Sequence, residues 1–175
     1  EDTRHAKKLL KNYNVLTKVN SYHLNNEHKR VDEYVQMIIN GNKVSLITDA
    51  GTPCISDPGF LLIREAIKNN ILITCLPGPT AVVPALVMSG LPSDSFIFEG
   101  FLPRKKGRKS KLYEISQNTK TTILYESPFR IIKTLSDLEE TIGSDRKIAI
   151  VKEISKIYEE VFRGTIQEAI LEYNE

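Results

Sequence analysis

Val44-Ser-Leu-Ile-Thr-Asp-Ala-Gly-Thr-Pro-Cys-Ile-Ser-Asp-Pro-Gly59 decides how the rest of this chain is read. Val44 to Thr48 is a short, mostly apolar, β-rich run after the break at Gly41 to Lys43, and it predicts a buried strand. The run opens into Asp49-Ala-Gly-Thr-Pro53, where Gly51 tolerates backbone angles that a Cβ resists and Pro53 stiffens the exit. Ser56-Asp-Pro-Gly59 then offers Asp57 as an N-cap and Pro58 as a first-turn residue for an apolar helix from about Phe60. Strand, small-residue loop and helix start, in that order, make a ligand shelf of the kind found beyond the carboxyl ends of α/β strands. An isolated Gly-Thr-Pro would be a plain connection. This loop is longer than packing requires and rich in Asp, Thr and Ser, and a second loop, Pro77-Gly-Pro-Thr-Ala81, follows the next apolar run in the same relative position. Two such loops on neighbouring strands would line one cleft.

Outward from that stretch the chain alternates strand and helix. Asp2 or Thr3 can cap an opening helix that carries Leu9 and Leu10, and Val15 to Val19 alternates like a strand. Glu27 to Asn40 places Val31, Tyr34, Val35, Ile38 and Ile39 on one helical stripe that stops at Gly41. Helices are expected over Phe60–Lys68, Thr80–Met88 and Lys109–Gln117, and strands over Ile71–Leu76, Phe96–Phe101, Thr121–Tyr125 and Lys147–Val151. Ser127 and Pro128 would begin a helix carrying Ile131, Ile132, Leu135 and Leu138. Ile157 to Phe162 would pair with Lys147–Val151 as a hairpin. Thr165-Ile-Gln-Glu168 is a capping box for a last helix. This grammar predicts a largely parallel sheet covered on both faces.

With 175 residues, 41% of them apolar, the chain can build one large or two small cores. Lys and Arg number 24 against 22 Asp and Glu, a net charge of +2, so a basic footprint for nucleic acid must be local. The densest one is Arg104, Lys105, Lys106, Arg108, Lys109 and Lys111, six cations with no acid between them. By composition it is a solvated linker. Cys54, Cys75 and three histidines sit in no metal or redox spacing, which fits a reducing compartment. No run approaches the ~18 apolar residues of a membrane span and no signal-peptide pattern opens the chain, so a cytoplasmic location is expected.

Asp49-Ala-Gly-Thr-Pro with Ser56-Asp-Pro-Gly, Pro77-Gly-Pro-Thr-Ala, Ser89-Gly-Leu-Pro-Ser-Asp, Phe98-Glu-Gly-Phe-Leu-Pro and Tyr125-Glu-Ser-Pro-Phe-Arg, in that order, resemble the tetrapyrrole-methylase superfamily. Within it they are most similar to the branch that 2′-O-methylates a cytidine of 16S rRNA with S-adenosylmethionine. Lys152-Glu-Ile-Ser-Lys156 resembles that branch's Arg-Glu-Leu-Thr-Lys segment. The resemblance implies a class III methyltransferase of two α/β domains, residues 1–101 and 111–175, joined by a basic linker at 102–110, with an active-site cleft between them. It also implies an earlier strand and Gly-rich loop before Glu1, further strands after Glu175, and a homodimer.

By that resemblance Asp49, Ala50, Gly51, Thr52, Pro53, Pro77, Gly78, Thr80 and Ala81 line the cofactor, and Tyr125 and Glu126 seat its adenine. RNA contacts fall to the six cations of the linker and to Arg130, which can equally pair with Glu126. A 2′-hydroxyl is a poor nucleophile until deprotonated. Asp2, Asp49, Asp57, Glu126, Glu153 and Lys156 are the candidates to assist it, and the sequence does not rank them. Two other functions stay open: a tetrapyrrole methylase, and an RNA- or nucleotide-binding fragment without turnover.

Overall fold

The computed structural model describes residues 2–174, which form two compact units, residues 2–80 and 81–174. In the first, α1 (Thr3–Asn12) is capped by Asp2, whose carboxylate accepts the Arg4 N–H at 2.9 Å. The core lies between α2 (Glu27–Ile39) and α3 (Phe60–Lys68). Val31, Tyr34 and Val35 of the expected stripe meet Leu62 and Tyr22, with Leu46 and Ile71 packed against them. Tyr22 stands edge-on to Tyr34 at 5.8 Å. The last turn of the stripe departs from expectation, because Ile39 is exposed.

Residues 15–19, 44–48 and 71–76, expected as strands, carry no ladder among the described residues. Their apolar pattern nevertheless survives. Val44, Leu46 and Thr48 are half-buried while Ser45 and Ile47 are exposed. Alternation identifies the face that packs; a strand also needs a neighbour whose backbone groups match its own, and the pattern does not name one. Leu16, Leu72 and Leu76 are correspondingly exposed.

The start of α3 also differs. Its N-cap is Gly59, at φ 137°, and not Asp57. A Cβ on Gly59 would lie 2.5 Å from Cys54 Sγ and 2.7 Å from Leu46 Cδ2, so the loop closes onto the core at a position where a side chain does not fit. Asp57 turns back instead, accepting the Thr48 hydroxyl at 2.6 Å and tying the end of the 44–48 run to its own loop.

The second unit begins with α4 (Val82–Ser89), stopped by Gly90 in the left-handed region. β1 (Phe96–Phe101) pairs parallel with β2 (Thr121–Tyr125), Phe96 opposite Thr121 and Phe101 opposite Tyr125, with an irregularity at Glu99. Between them run the basic segment and α5 (Arg108–Ser116). A 3₁₀ turn at Pro128–Arg130 precedes α6 (Ile131–Ile142), where the sequence suggested one continuous helix from Ser127. β3 (Lys147–Lys152) and β4 (Glu160–Thr165) form an antiparallel hairpin. Its second strand starts three residues later than expected, leaving Ile157 and Tyr158 in the loop, exposed. The sheet content is therefore mixed, one parallel and one antiparallel pair, because a hairpin connection admits only antiparallel pairing. α7 (Ile166–Tyr173) opens on the expected capping box of Thr165 and Glu168. Leu102, Leu112, Ile115, Leu138 and Ile166 make this unit's core.

Candidate functional site

In the first unit the two small-residue loops meet. The Thr52 hydroxyl donates to the Pro79 carbonyl at 2.9 Å, across 27 residues of sequence. Asp49, Ala50, Gly51, Pro77 and Gly78 are exposed, and Thr52, Pro53 and Thr80 half-buried, so the loops leave backbone and hydroxyl groups open without a wall of side chains. Asp49 Oδ2 accepts the Asp2 N–H at 3.0 Å, which brings the start of α1 to the same loop. The Arg4 guanidinium on Asp2, at 2.6 Å, holds that carboxyl well below the usual carboxylate range, helped by the Arg4 N–H. Cys54 at φ 71° and Ser56 at φ 59° occupy the left-handed region, each at a cost of about 1–2 kcal/mol. Burial pushes the Cys54 thiol up, with the charges of Cys75 and Asp57 adding to it. The same strain recurs at Glu153 (φ 53°) and Ser155 (φ 63°) in the β3–β4 loop. Strained non-glycine residues gather where a loop is held in one shape for a purpose.

In the second unit a cavity of about 780 Å³, largely apolar, is lined by Ala81, Leu86, Tyr125, Glu126, Thr134 and Ile150 among others. That volume lies within the range of small-molecule sites. Tyr125 is set by edge-on contacts with Phe98 at 5.0 Å and Phe101 at 5.6 Å. Beside it Glu126, its side chain 7% exposed, is held by three donors. These are the Ser127 N–H at 2.7 Å, the Thr134 hydroxyl at 2.7 Å and the Arg130 guanidinium at 2.6 Å. Thr134 in turn accepts Arg108 Nη2 at 2.8 Å, and Arg108 Nε donates to Asp137 Oδ2 at 2.7 Å. Arg108 Nη1 reaches the Pro103 carbonyl at 3.2 Å. A chain of five polar side chains, Asp137–Arg108–Thr134–Glu126–Arg130, thus locks the end of β2 to α5 and α6. Sequence reasoning missed Thr134 and Asp137. Both sit on α6 among charged neighbours, and nothing local separates them from surface residues.

The cations suggested for RNA fall into two groups. Arg108 is buried in the network, Arg130 is on Glu126, and Lys111 bridges Glu99 at 2.7 Å and Glu114 at 3.0 Å. Those contacts, Glu99 first, push the Lys111 ammonium up. Arg104, Lys105, Lys106 and Lys109 are exposed and carry no ion pair among the described residues. Of the other candidates, Glu153 pairs with Lys156 at 2.9 Å, and the Ser155 N–H donates to Glu159 at 2.6 Å.

Small-residue loops that leave backbone and hydroxyl groups open, as in the first unit, mark a class of protein that binds a compact ligand through such groups. The chain belongs to the Tetrapyrrole (Corrin/Porphyrin) Methylases, whose family model matches residues 2–170. It is 45% identical over 162 residues to the ribosomal RNA small subunit methyltransferase I of Vibrio cholerae, covering 92% of this chain and 56% of that protein. To the protein of the same name from Synechocystis it is 42% identical over 176 residues, covering 100% of this chain and 63% of that protein. The chain therefore spans about three fifths of the length of these relatives. Its fold matches the crystal structure of the methyltransferase CobJ with a TM-score of 0.62 at 18% identity, over 89% of this chain and 69% of that one. Among the described residues no helix is long and apolar enough to cross a membrane.

Proposed function

We propose that this chain carries out S-adenosylmethionine-dependent 2′-O-methylation of a cytidine ribose in the 16S rRNA of the small ribosomal subunit. The observation that carries the reading is its 45% identity, over 92% of its length, to a relative named for small-subunit rRNA methylation. The geometry is consistent with it. Methyl transfer from a sulfonium to an oxygen is an in-line displacement, so the protein's work is positioning and exclusion of water. The bound cofactor supplies an electrophilic methyl group. Within the first unit, open backbone and the hydroxyls of Thr52 and Thr80 suit its methionine and ribose ends.

Asp2, Asp49, Asp57, Glu126, Glu153 and Lys156 stay the candidates to assist the 2′-hydroxyl. Exposed Arg104, Lys105, Lys106 and Lys109 are proposed to hold RNA phosphates. Val83 and Val87, exposed on α4, are proposed as part of a homodimer surface. The cytoplasm, where small subunits mature, is the proposed location.

A tetrapyrrole substrate is the competing reading, favoured by the apolar lining of the cavity. The test incubates this chain with methyl-labelled S-adenosylmethionine and either small subunits or a corrin. Label on a cytidine ribose, seen as one linkage resistant to alkali, supports the proposal. Label on the macrocycle, or RNA and cofactor bound without transfer, overturns it.

A further inference from the structure

Besides the large cavity, the second unit carries a smaller pocket of about 350 Å³ lined by Arg104, Arg108, Ser127, Phe129, Arg130, Lys133 and Thr134. Four of those seven residues are cations and none is acidic. The carboxylates that reach them are Asp137, on Arg108, and Glu126, on Arg130. Four positive charges against two leave the pocket with an excess of two, carried by Arg104 and Lys133, both exposed and without an ion pair among the described residues. At its mouth stands Phe129, 98% exposed.

A single exposed apolar side chain is ordinary on a protein surface. This one differs in where it sits and how firmly its backbone is held. Pro128 occupies the first position of the 3₁₀ turn, Arg130 bridges Glu126, and the Ser127 N–H donates to the same carboxylate. The ring is thus presented on a rigid turn, and among the described residues no hydrogen bond, ring stack or cation–π contact uses it. An open aromatic face beside uncompensated cations is the combination that holds unpaired nucleotides, the ring stacking a base and the cations taking flanking phosphates.

We propose that this pocket binds an unpaired RNA nucleotide other than the one that is methylated, its base on Phe129 and its phosphate between Arg104 and Lys133. The proposal rests on the rRNA reading above and sharpens it. A duplex is not an alternative occupant, since paired bases present no free face to the ring.

The test measures binding of the full chain to a labelled single-stranded RNA and to the same sequence as a duplex, across a salt series. Phe129→Ala should weaken single-strand binding about 5- to 100-fold and leave the duplex unaffected. Phe129→Leu, which keeps apolar bulk without a ring, should lose as much, and Phe129→Trp should restore it. Arg104→Gln with Lys133→Gln should flatten the log–log salt slope for the single strand by about 1.4, at roughly 0.7 per contact. Because Phe129 is almost wholly exposed, none of its variants threatens the fold. If Phe129→Ala binds single strands as tightly as the parent, or loses duplex equally, the inference is overturned while the rRNA reading stands. If the parent chain binds neither RNA, both fall. Loss of an acidic peptide's binding in Phe129→Ala, with RNA unaffected, makes the pocket a protein contact and also overturns it.

Discussion

Removing the Asp137 carboxylate should uncouple the network that closes the end of β2. Arg108 keeps its guanidinium nearly out of water, with its side chain 10% exposed and Asp137, at 2.7 Å, 27% exposed. At that distance and an effective dielectric of ~20, the gross attraction is roughly 6 kcal/mol, much of it offset by desolvation of the two ions. Leaving one member of a buried pair alone costs about 3–5 kcal/mol. Water reaches the partly open Asp137 side, and Ala gains up to about 0.7 kcal/mol of helix propensity within α6. The expected loss for Asp137→Ala is therefore about 2–3 kcal/mol. Native-state hydrogen exchange of the β2 amides reads it out within the second unit, where those amides should exchange roughly 30- to 150-fold faster. Two comparisons isolate the cause. Glu114→Ala, which breaks the exposed pair with Lys111, should change exchange by less than about fivefold, since such pairs are worth about 0–1 kcal/mol. Arg108→Met combined with Asp137→Leu removes both charges and should recover most of the loss. If Asp137→Ala behaves like Glu114→Ala, or if the double variant is worse than the single, the network is not what holds β2 in place.

Lys105→Gln, Lys106→Gln and Lys109→Gln together should flatten the salt dependence of single-stranded RNA binding by about two log–log units while cofactor affinity stays unchanged, measured by titration at several ionic strengths. Absorbance at 295 nm during alkaline titration should show Tyr22 and Tyr173 ionising only near pH 12, Tyr22 pushed up by burial and then by Glu27, and Tyr173 by burial and its hydrogen bond to Glu160. Because both folded values are raised, the stability they contribute is complete below the ordinary value of 10 and is lost as pH rises through about 12. Gly59→Ala should destabilise the first unit by about 2 kcal/mol or more, seen as a lower urea midpoint, because the new Cβ meets Cys54 Sγ and Leu46 Cδ2 at a φ that L-residues avoid.

What could be read from the sequence was whatever neighbouring residues fix by themselves. The Val31–Tyr34–Val35 stripe, the Thr165–Glu168 capping box, the Gly90 stop and the runs that became β1, β2 and β3 all follow from local periodicity and cap chemistry. The ordered set of small-residue motifs likewise pointed to the family that the comparisons bear out. The tertiary structure alone decided matters settled between residues far apart in sequence. Among the described residues it left the runs at 15–19, 44–48 and 71–76 without a ladder, since a strand depends on a partner that its own alternation does not specify. It joined Thr52 to Pro79, and it turned Arg108 from one member of a basic run into a buried group held 29 residues away by Asp137. A basic run in sequence gives only the sum of its charges. Packing determines which of those charges meet a carboxylate and which stay open to a phosphate, because that depends on which helix face is brought against them.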